Sequence, residues 1–140
     1  MTEESTTPDL AELARRLLDA TNRQDFDAIQ GLYGSDAVWD MSPLGLGVYE
    51  GAAAVRGFFE DWLGVYDEFE FELEEMRDLG NGVVFYVVVQ RGVPRGSTGW
   101  VHTRYGAISR VVDGLVQRTT NYYDVDDARA AAEQLAQERG

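Results

Sequence analysis

Apolar residues recur at three- and four-residue spacing along the first part of the chain, which is the spacing of one face of an α-helix. The first such stripe predicts a helix from Pro8 to about Asn22. A second, short helix is predicted from Asp25, and a third from Ala52 to about Trp62. The buried positions of the first two helices are predicted to be Leu10, Leu13, Ala14, Leu17, Leu18, Phe26, Ile29, Leu32 and Tyr33.

After the third helix the apolar period changes to two, which is typical of a β-strand with one face in water. Phe69, Phe71 and Leu73 alternate with glutamates in this way. The dipeptide Asn81-Gly82 is a hairpin signal, and the run that follows it is apolar on both faces, as in a central strand. The remaining elements are predicted as strands at 83–90, 100–111 and 115–125 and a closing helix at 126–139.

Two shorter strands are predicted between the second and third helices, at 37–41 and at 47–51. The element order segregates helices from a mostly antiparallel sheet, which indicates an α+β fold. We expect a single domain over residues 9–137, in which three N-terminal helices and one C-terminal helix wrap a curved sheet. Residues 1–8 are rich in Thr, Glu and Ser and are predicted to form a disordered tail.

Net charge limits the classes of partner. The chain has 140 residues and a formal net charge of −13. A nucleic-acid phosphate backbone would be repelled, and an anionic membrane surface is disfavoured for the same reason. We therefore expect no nucleic-acid partner and no membrane partner, which leaves small molecules and other proteins.

Missing residue types exclude several chemistries. The absence of Cys rules out thiol catalysis and thiolate metal sites, and the absence of Lys rules out Schiff-base chemistry. His102 is the only histidine, so one chain cannot build a multi-histidine metal site. No G-x-G-x-x-G loop occurs. The expectation is a protein without cofactor or metal.

The N-terminal segment bears on location. MTEESTTPDL is acidic and polar, whereas a secretory signal needs a basic and then an apolar start. No apolar run approaches the ~20 residues of a membrane span. We expect a cytoplasmic protein.

Three segments, RQDFDAIQGLYGSDAVW, YEGAAAVRGFFEDW and VVDGLVQRTTNYYD, together resemble the NTF2-like superfamily. This superfamily includes SnoaL-like polyketide cyclases, ketosteroid isomerases, scytalone dehydratases and limonene-1,2-epoxide hydrolases. The resemblance covers roughly residues 9–130. It implies a cone-shaped α+β fold, an apolar cavity and a homodimer, but no single activity, because one fold hosts many functions.

The epoxide hydrolases can be compared residue by residue. The positions that match their water-binding Tyr and Asn are Trp39 and Met41, and those that match their Arg and one Asp are Val88 and Gln90. Asn121 stands at the position of their general-base Asp. An amide does not accept a proton at neutral pH, so epoxide hydrolysis by that machinery is not expected.

The other members fit no better. The general-base Asp of the ketosteroid isomerases corresponds to Met41 or Ser42, and their oxyanion-hole Tyr corresponds to Leu17. The cyclases pair an Asp with a His inside the cone, and their Asp falls near Asn121. His102 is the remaining candidate for that pairing.

Two residues are candidate catalysts. As the only imidazole, His102 would act as acid or base if it faced the cone, but it is equally a surface or a satisfied interior residue. Asp40 lies between Trp39 and Met41, so alternation points it away from them unless a bulge intervenes. Asp124 is interpreted as a helix cap and not as an acid.

The candidate ligand-binding residues are mainly aromatic or apolar, as in most small-molecule pockets. Any one of them is equally well an ordinary core residue. Gln90, Asn121 and Tyr123 would orient an apolar ligand. The full predicted set is Tyr33, Trp39, Met41, Phe59, Trp62, Val88, Gln90, Asn121 and Tyr123.

Three hypotheses about function remain open. The first is a cofactor-independent cyclase, isomerase or dehydratase that encloses an apolar substrate and uses His102 or Asp40. The second is a non-catalytic protein that binds a small hydrophobic ligand. The third is a dimerisation module, whose cone would be filled.

Overall fold

The computed structural model describes residues 3–139, with side chains for residues 10–138. Within this range the helices are α1 Glu3–Asn22, α2 Phe26–Gly31, α3 Ala52–Leu63 and α4 Val125–Arg139. The strands are β1 Tyr33–Asp40, β2 Val48–Glu50, β3 Tyr66–Asp78, β4 Val83–Pro94, β5 Val101–Val112 and β6 Leu115–Tyr122. A short 3-10 helix, Ser42–Leu44, connects β1 to β2.

The strands form a six-stranded sheet in the order β2-β1-β6-β5-β4-β3. β1 and β6 pair in parallel, and the other neighbours pair antiparallel. The parallel pair brings the first long strand beside the last, so residues near 40 and near 120 become neighbours. The predicted α+β architecture with a mostly antiparallel sheet is confirmed.

Element boundaries differ from the predictions in two places. Helix α1 begins at Glu3, so the segment 3–8 is helical where a disordered tail was predicted; Met1 and Thr2, which belong to the same prediction, lie outside the described residues. Tyr33 is the first residue of β1 and not part of the second helix. It pairs with Val116, and this long-range contact ends the helical pattern where local spacing would continue it.

Helices α1, α2 and α3 cover the concave face of the sheet. The core on this side contains α1 residues Leu10 and Leu13 and α3 residues Val55 and Phe59. Asn22 ties the end of α1 to the sheet, because its side chain donates to the carbonyl of Phe71 at 3.0 Å and accepts from the amide of Phe71 at 2.8 Å. The helix is therefore held as one wall of the cone.

Helix α4 packs on the convex face, over β4 and β5. Its contact cluster includes Phe85 and Ala128, each at most 1% exposed. Gly106 makes this close approach possible, since a Cβ there would lie 2.6 Å from the Cβ of Ala128. The helix starts at the predicted cap: Asp124 Oδ1 accepts a hydrogen bond from the amide of Asp127 at 3.0 Å.

None of the helices within residues 3–139 is both long enough and apolar enough to cross a membrane.

Candidate functional site

A cavity of about 60 Å³ lies between α1, α3 and the concave face of the sheet. We call it the inner cavity. Most of its lining is apolar, as in a typical small-molecule site. The lining residues are Ala14, Leu17, Leu18, Thr21, Trp39, Phe59, Trp62, Phe71, Leu73, Tyr86, Val88, Tyr105, Ala107, Thr119 and Asn121.

A second, larger space of about 190 Å³ adjoins the first, and we call it the outer cavity. Trp62, Tyr105 and Asn121 line both spaces and so mark the boundary between them. The outer cavity is lined by Met41, Leu44, Leu46, Trp62, Tyr66, Gln90, Thr103, Tyr105, Asn121 and Tyr123. Leu46 and Tyr123 are more than half exposed, which places the opening of the outer cavity beside them.

Aromatic rings in mutual contact build one side of the inner cavity. The ring centroid of Trp39 lies 4.8 Å from that of Phe59, and the centroid of Trp62 lies 5.4 Å from that of Phe71 in an edge-to-face arrangement. Such pairs add about 0.5–1.5 kcal/mol each beyond the area they bury. The wall is therefore rigid and apolar, with one buried polar atom, the indole Nε1 of Trp39, that has no hydrogen-bond partner within the described residues.

Asn121 supplies the most distinctive polar group. It lies on β6 opposite Ala107 and is 1% exposed. Its Nδ2 donates to the backbone carbonyl of Asp40 at a long 3.4 Å, which orients the amide. Its Oδ1 is buried and has no partner among the described residues. Because an unsatisfied buried acceptor costs about 1–3 kcal/mol, this atom is a candidate ligand contact.

A chain of hydroxyl groups runs along the sheet beside Asn121. The Tyr86 hydroxyl donates to Ser109 Oγ, and Ser109 Oγ and Thr119 Oγ1 are hydrogen-bonded at 2.7 Å. Burial raises the pKa of Tyr86 to about 12, partly offset by the bond to Ser109. Burial also raises the pKa of Tyr105 and of Tyr33. These phenols are therefore neutral donors at physiological pH.

The two cavities share an electrostatic property. Tyrosine is the only ionisable residue type among their described lining residues, and the pKa values of Tyr86 and Tyr105 are raised by burial. In the outer cavity, Gln90 Nε2 donates to the hydroxyl of Tyr66 at 2.9 Å, which fixes a second amide at the site. The lining therefore carries no formal charge at neutral pH.

Asp40, a predicted catalytic residue, lies outside both cavities. Its carboxylate lies on the convex side, where Oδ2 accepts from Arg118 Nη2 at 2.5 Å and Oδ1 accepts from the amide of Ser42 at 2.8 Å. Burial alone would raise the pKa of Asp40, but the hydrogen bonds from Ser42 and Arg118 hold it below its usual value. Alternation along β1 decides this, because Trp39 takes the cavity face.

His102, the other predicted catalytic residue, also lies outside both cavities. The residue is exposed and belongs to neither cavity lining. On β5 the alternate residues Thr103, Tyr105 and Ala107 face the cavities, so His102 points to the opposite side. Its cross-strand partner is Arg91. An imidazole there does not reach a ligand in the cone.

The predicted ligand-binding residues divide between the two cavities. Trp39, Phe59 and Val88 line the inner cavity, whereas Met41, Gln90 and Tyr123 line the outer one. Trp62 and Asn121 line both. Tyr33 lines neither: it lies in the core, 4% exposed, with its ring centroid 6.3 Å from that of Phe59.

Sequence reasoning missed three tyrosines of the lining, Tyr66, Tyr86 and Tyr105. Tyr86 lies two residues before Val88 and four before Gln90, so alternation along β4 would have placed it on the same face. The position of Tyr105 could be inferred only from the pairing of β4 with β5, in which it lies opposite Val88. That pairing depends on the hairpin register, which the sequence pattern alone did not give.

Comparison with solved structures supports the fold. A protein from Catenulispora acidiphila with a ketosteroid isomerase-like fold, solved in complex with trimethylamine, superposes with a TM-score of 0.73 at 13% identity, over 86% of this chain and 92% of that one. A candidate polyketide cyclase from Xanthomonas campestris gives 0.69 at 23% identity, over 89% and 97%. An LEH-like epoxide hydrolase from M. tuberculosis gives 0.70 at 17% identity, over 91% of each chain.

At these identities the likeness concerns the fold alone. No curated protein matches the chain. The model of the SnoaL-like domain matches residues 14–119, which include both walls of the inner cavity and most of its lining. The resemblance to the NTF2-like superfamily is thereby confirmed, and the chain belongs to the SnoaL-like domain family.

Proposed function

We propose that the protein binds a small, neutral and mainly apolar molecule in the two joined cavities. The observation that carries this proposal is the buried, unpartnered Oδ1 of Asn121 in a lining without charged side chains. A charged ligand would lose its hydration there without gaining a counter-ion, which is costly. A neutral molecule loses much less and gains the apolar contact.

The cavity sizes indicate how such a ligand lies. An apolar cavity of about 150 Å³ holds one benzene molecule. The inner cavity, at about 60 Å³, is smaller than this, whereas the outer cavity offers about 190 Å³. The body of the ligand therefore occupies the outer cavity, and a small substituent passes Trp62 into the inner one.

The hydrogen-bonding groups specify the substituent. Asn121 Oδ1 needs a donor, so the ligand carries a hydroxyl or an N–H group. Trp39 Nε1 and the Tyr105 hydroxyl are donors of the lining, so an oxygen acceptor on the same ligand has partners as well. A hydroxylated aromatic or alicyclic compound meets all three conditions: a neutral and mainly apolar body, a hydrogen-bond donor and an oxygen acceptor.

A second candidate function is a cofactor-independent isomerase, lyase or cyclase that acts on the same ligand class. The hydroxyl chain from Tyr86 through Ser109 to Thr119 favours it, because preorganised neutral donors stabilise an oxygen that gains negative charge in a transition state. The described lining offers no carboxylate or imidazole as a general base, so proton removal would fall to the substrate itself or to water. For that reason binding is the primary proposal.

The test uses three probes of one shape: naphthalene, 2-naphthol and 2-naphthoate. Calorimetric titration is expected to rank 2-naphthol above naphthalene. Displacement of bound 2-naphthol measures binding in the cavities alone, and the anion 2-naphthoate is expected to displace it least well of the three. Asn121→Leu is expected to abolish the preference for 2-naphthol over naphthalene, a change of about tenfold, since one hydrogen bond contributes about 0.5–1.5 kcal/mol. Thr120→Val is the matched control, because Thr120 is the neighbouring residue on the opposite face of β6.

Equal affinities for the three probes, or an equal loss in both variants, would contradict the proposal. Turnover separates the two candidate functions once a natural ligand is found by mass spectrometry of the purified protein. A binder leaves the ligand unchanged on incubation. An enzyme converts it, and Tyr86→Phe slows the conversion while affinity is kept.

A further inference from the structure

Two arginines lie side by side on the convex face of the sheet, away from both cavities. Arg110 of β5 and Arg118 of β6 are direct cross-strand partners. Like charges in directly opposed positions destabilise a sheet. In a chain with 25 acidic residues, this pairing is a feature that folding alone does not favour.

Arg118 is positioned by an acidic partner. Asp40 Oδ2 accepts from its Nη2 at 2.5 Å, and Asp40 is itself anchored through the amide of Ser42. The Arg118 side chain is still 49% exposed. A guanidinium has five N–H donors, so Arg118 keeps donors free for a further acceptor.

Arg110 has no such partner among the residues whose side chains are described. Its Nε is buried and forms no hydrogen bond within the described residues. Every other arginine whose side chain is described forms an ion pair, with the exception of the exposed Arg95. A partly buried guanidinium left unpaired beside a second one is costly, and an anion between the two would remove that cost.

The two arginines border a groove of about 290 Å³ between the sheet and α4. We call it the arginine groove. Its apolar side consists of Ile108, Ala131 and Leu135, and its polar side consists of Arg110, Arg118, Thr120, Tyr122, Gln134 and Glu138. Glu138 forms no ion pair with Arg110 among the described residues, and its Oε2 accepts from Gln134 Nε2 at 3.1 Å.

We propose that the arginine groove binds a small organic carboxylate. The carboxylate group lies between the guanidinium groups of Arg110 and Arg118, where charge-assisted hydrogen bonds are strongest. The apolar body of the ligand lies along Ile108 and Leu135. The sheet separates this site from the two cavities, so it takes a different class of ligand and stands independently of the function proposed for them.

The test is titration of the full chain with benzoate at low ionic strength, followed by NMR of the arginine Nε–Hε signals. Benzoate is expected to shift the signal of Arg110, and benzamide, which has the same shape without the charge, is expected to leave it in place. Arg110→Gln is expected to weaken benzoate binding about tenfold, which corresponds to 1.4 kcal/mol. Arg95→Gln removes the same charge from an exposed loop and is expected to leave binding unchanged.

Three results would overturn the proposal. Benzamide binding as tightly as benzoate would show that the site does not distinguish a charged ligand from a neutral one. Equal binding by wild type and Arg110→Gln would place the anion elsewhere, including in the cavities. A dimer that Arg110→Gln dissociates and benzoate does not affect would make this face an interface between two copies. Arg110→Gln removes a side chain that has no ion-pair partner within residues 10–138, so a folded variant is expected, and its circular dichroism spectrum checks this.

Discussion

Trp39 and Asp40 are adjacent in β1 and lie on opposite faces of the sheet. Trp39 forms part of the inner cavity, whereas Asp40 binds Arg118 on the convex face. The same division holds on β6, where Asn121 enters the cavities and Thr120 borders the arginine groove. The sheet thus separates an uncharged binding space from a charged outer surface.

Replacement of Asn121 by Leu is expected to raise the free energy of unfolding, or to leave it unchanged, while it abolishes the preference for hydroxylated ligands. The substitution removes a buried acceptor without a partner, whose desolvation costs about 1–3 kcal/mol, and it loses only one long hydrogen bond to Asp40. Urea denaturation measures the stability. A loss above 1 kcal/mol would mean that the amide is structural and not reserved for a ligand.

Replacement of Asp40 by Asn is expected to lower stability at pH 7 by about 1 kcal/mol, through loss of the ion pair with the half-exposed Arg118. The pKa of Asp40 is lower in the folded than in the unfolded state, so its contribution is present above pH ~4 and is lost as pH falls through the folded-state pKa. Wild type and variant should therefore converge in acid. Asp36→Asn, an exposed change on the same strand, is the control and should leave stability at pH 7 nearly unchanged.

Replacement of Tyr86 by Phe is expected to lower stability by about 1 kcal/mol at pH 7, because the hydrogen bond to Ser109 is lost. It should also reduce alkaline unfolding. The pKa of Tyr86 is raised to about 12, so the contribution of its protonated form is complete below pH ~10 and is lost between pH ~10 and ~12. Denaturation curves at pH 9 and pH 11 measure how much stability wild type and variant each lose between the two pH values. An equal loss of stability in both proteins would rule out a contribution from Tyr86 ionisation.

Replacement of Gly106 by Ala is expected to lower stability by about 1–3 kcal/mol, the usual effect of overpacking. The new methyl group would lie 2.6 Å from the Cβ of Ala128 and 3.4 Å from the Cα of Val125, so α4 would have to move. Gly57→Ala in α3 is the matched control, because its methyl group meets open space and should add about 0.5–1 kcal/mol. A lower melting temperature for Gly106→Ala together with a higher one for Gly57→Ala would support this packing.

Local patterns in the sequence were sufficient to predict the helices and strands and to predict which side chains of one strand point to opposite faces. The stripe from Leu10 to Leu18 and the alternation of Phe69, Phe71 and Leu73 predicted a helix and a strand correctly. Alternation also placed Asp40 opposite Trp39. Each of these inferences depends on neighbours within a few residues, where backbone geometry fixes the direction of side chains.

Which residues line the site, and which face of the sheet carries them, depended on contacts between residues that are distant in sequence. Alternation grouped His102 with its strand face but did not say which face turns inward, and the packing of the helices on the sheet placed His102 outside. The parallel pairing of β1 with β6 brings Asp40 beside Asn121, 81 residues apart, and the register of β4 and β5 brings Tyr105 opposite Val88. Local periodicity sets the direction of a side chain relative to its own backbone, whereas a cavity wall is assembled from several elements whose relative placement only the packed core decides.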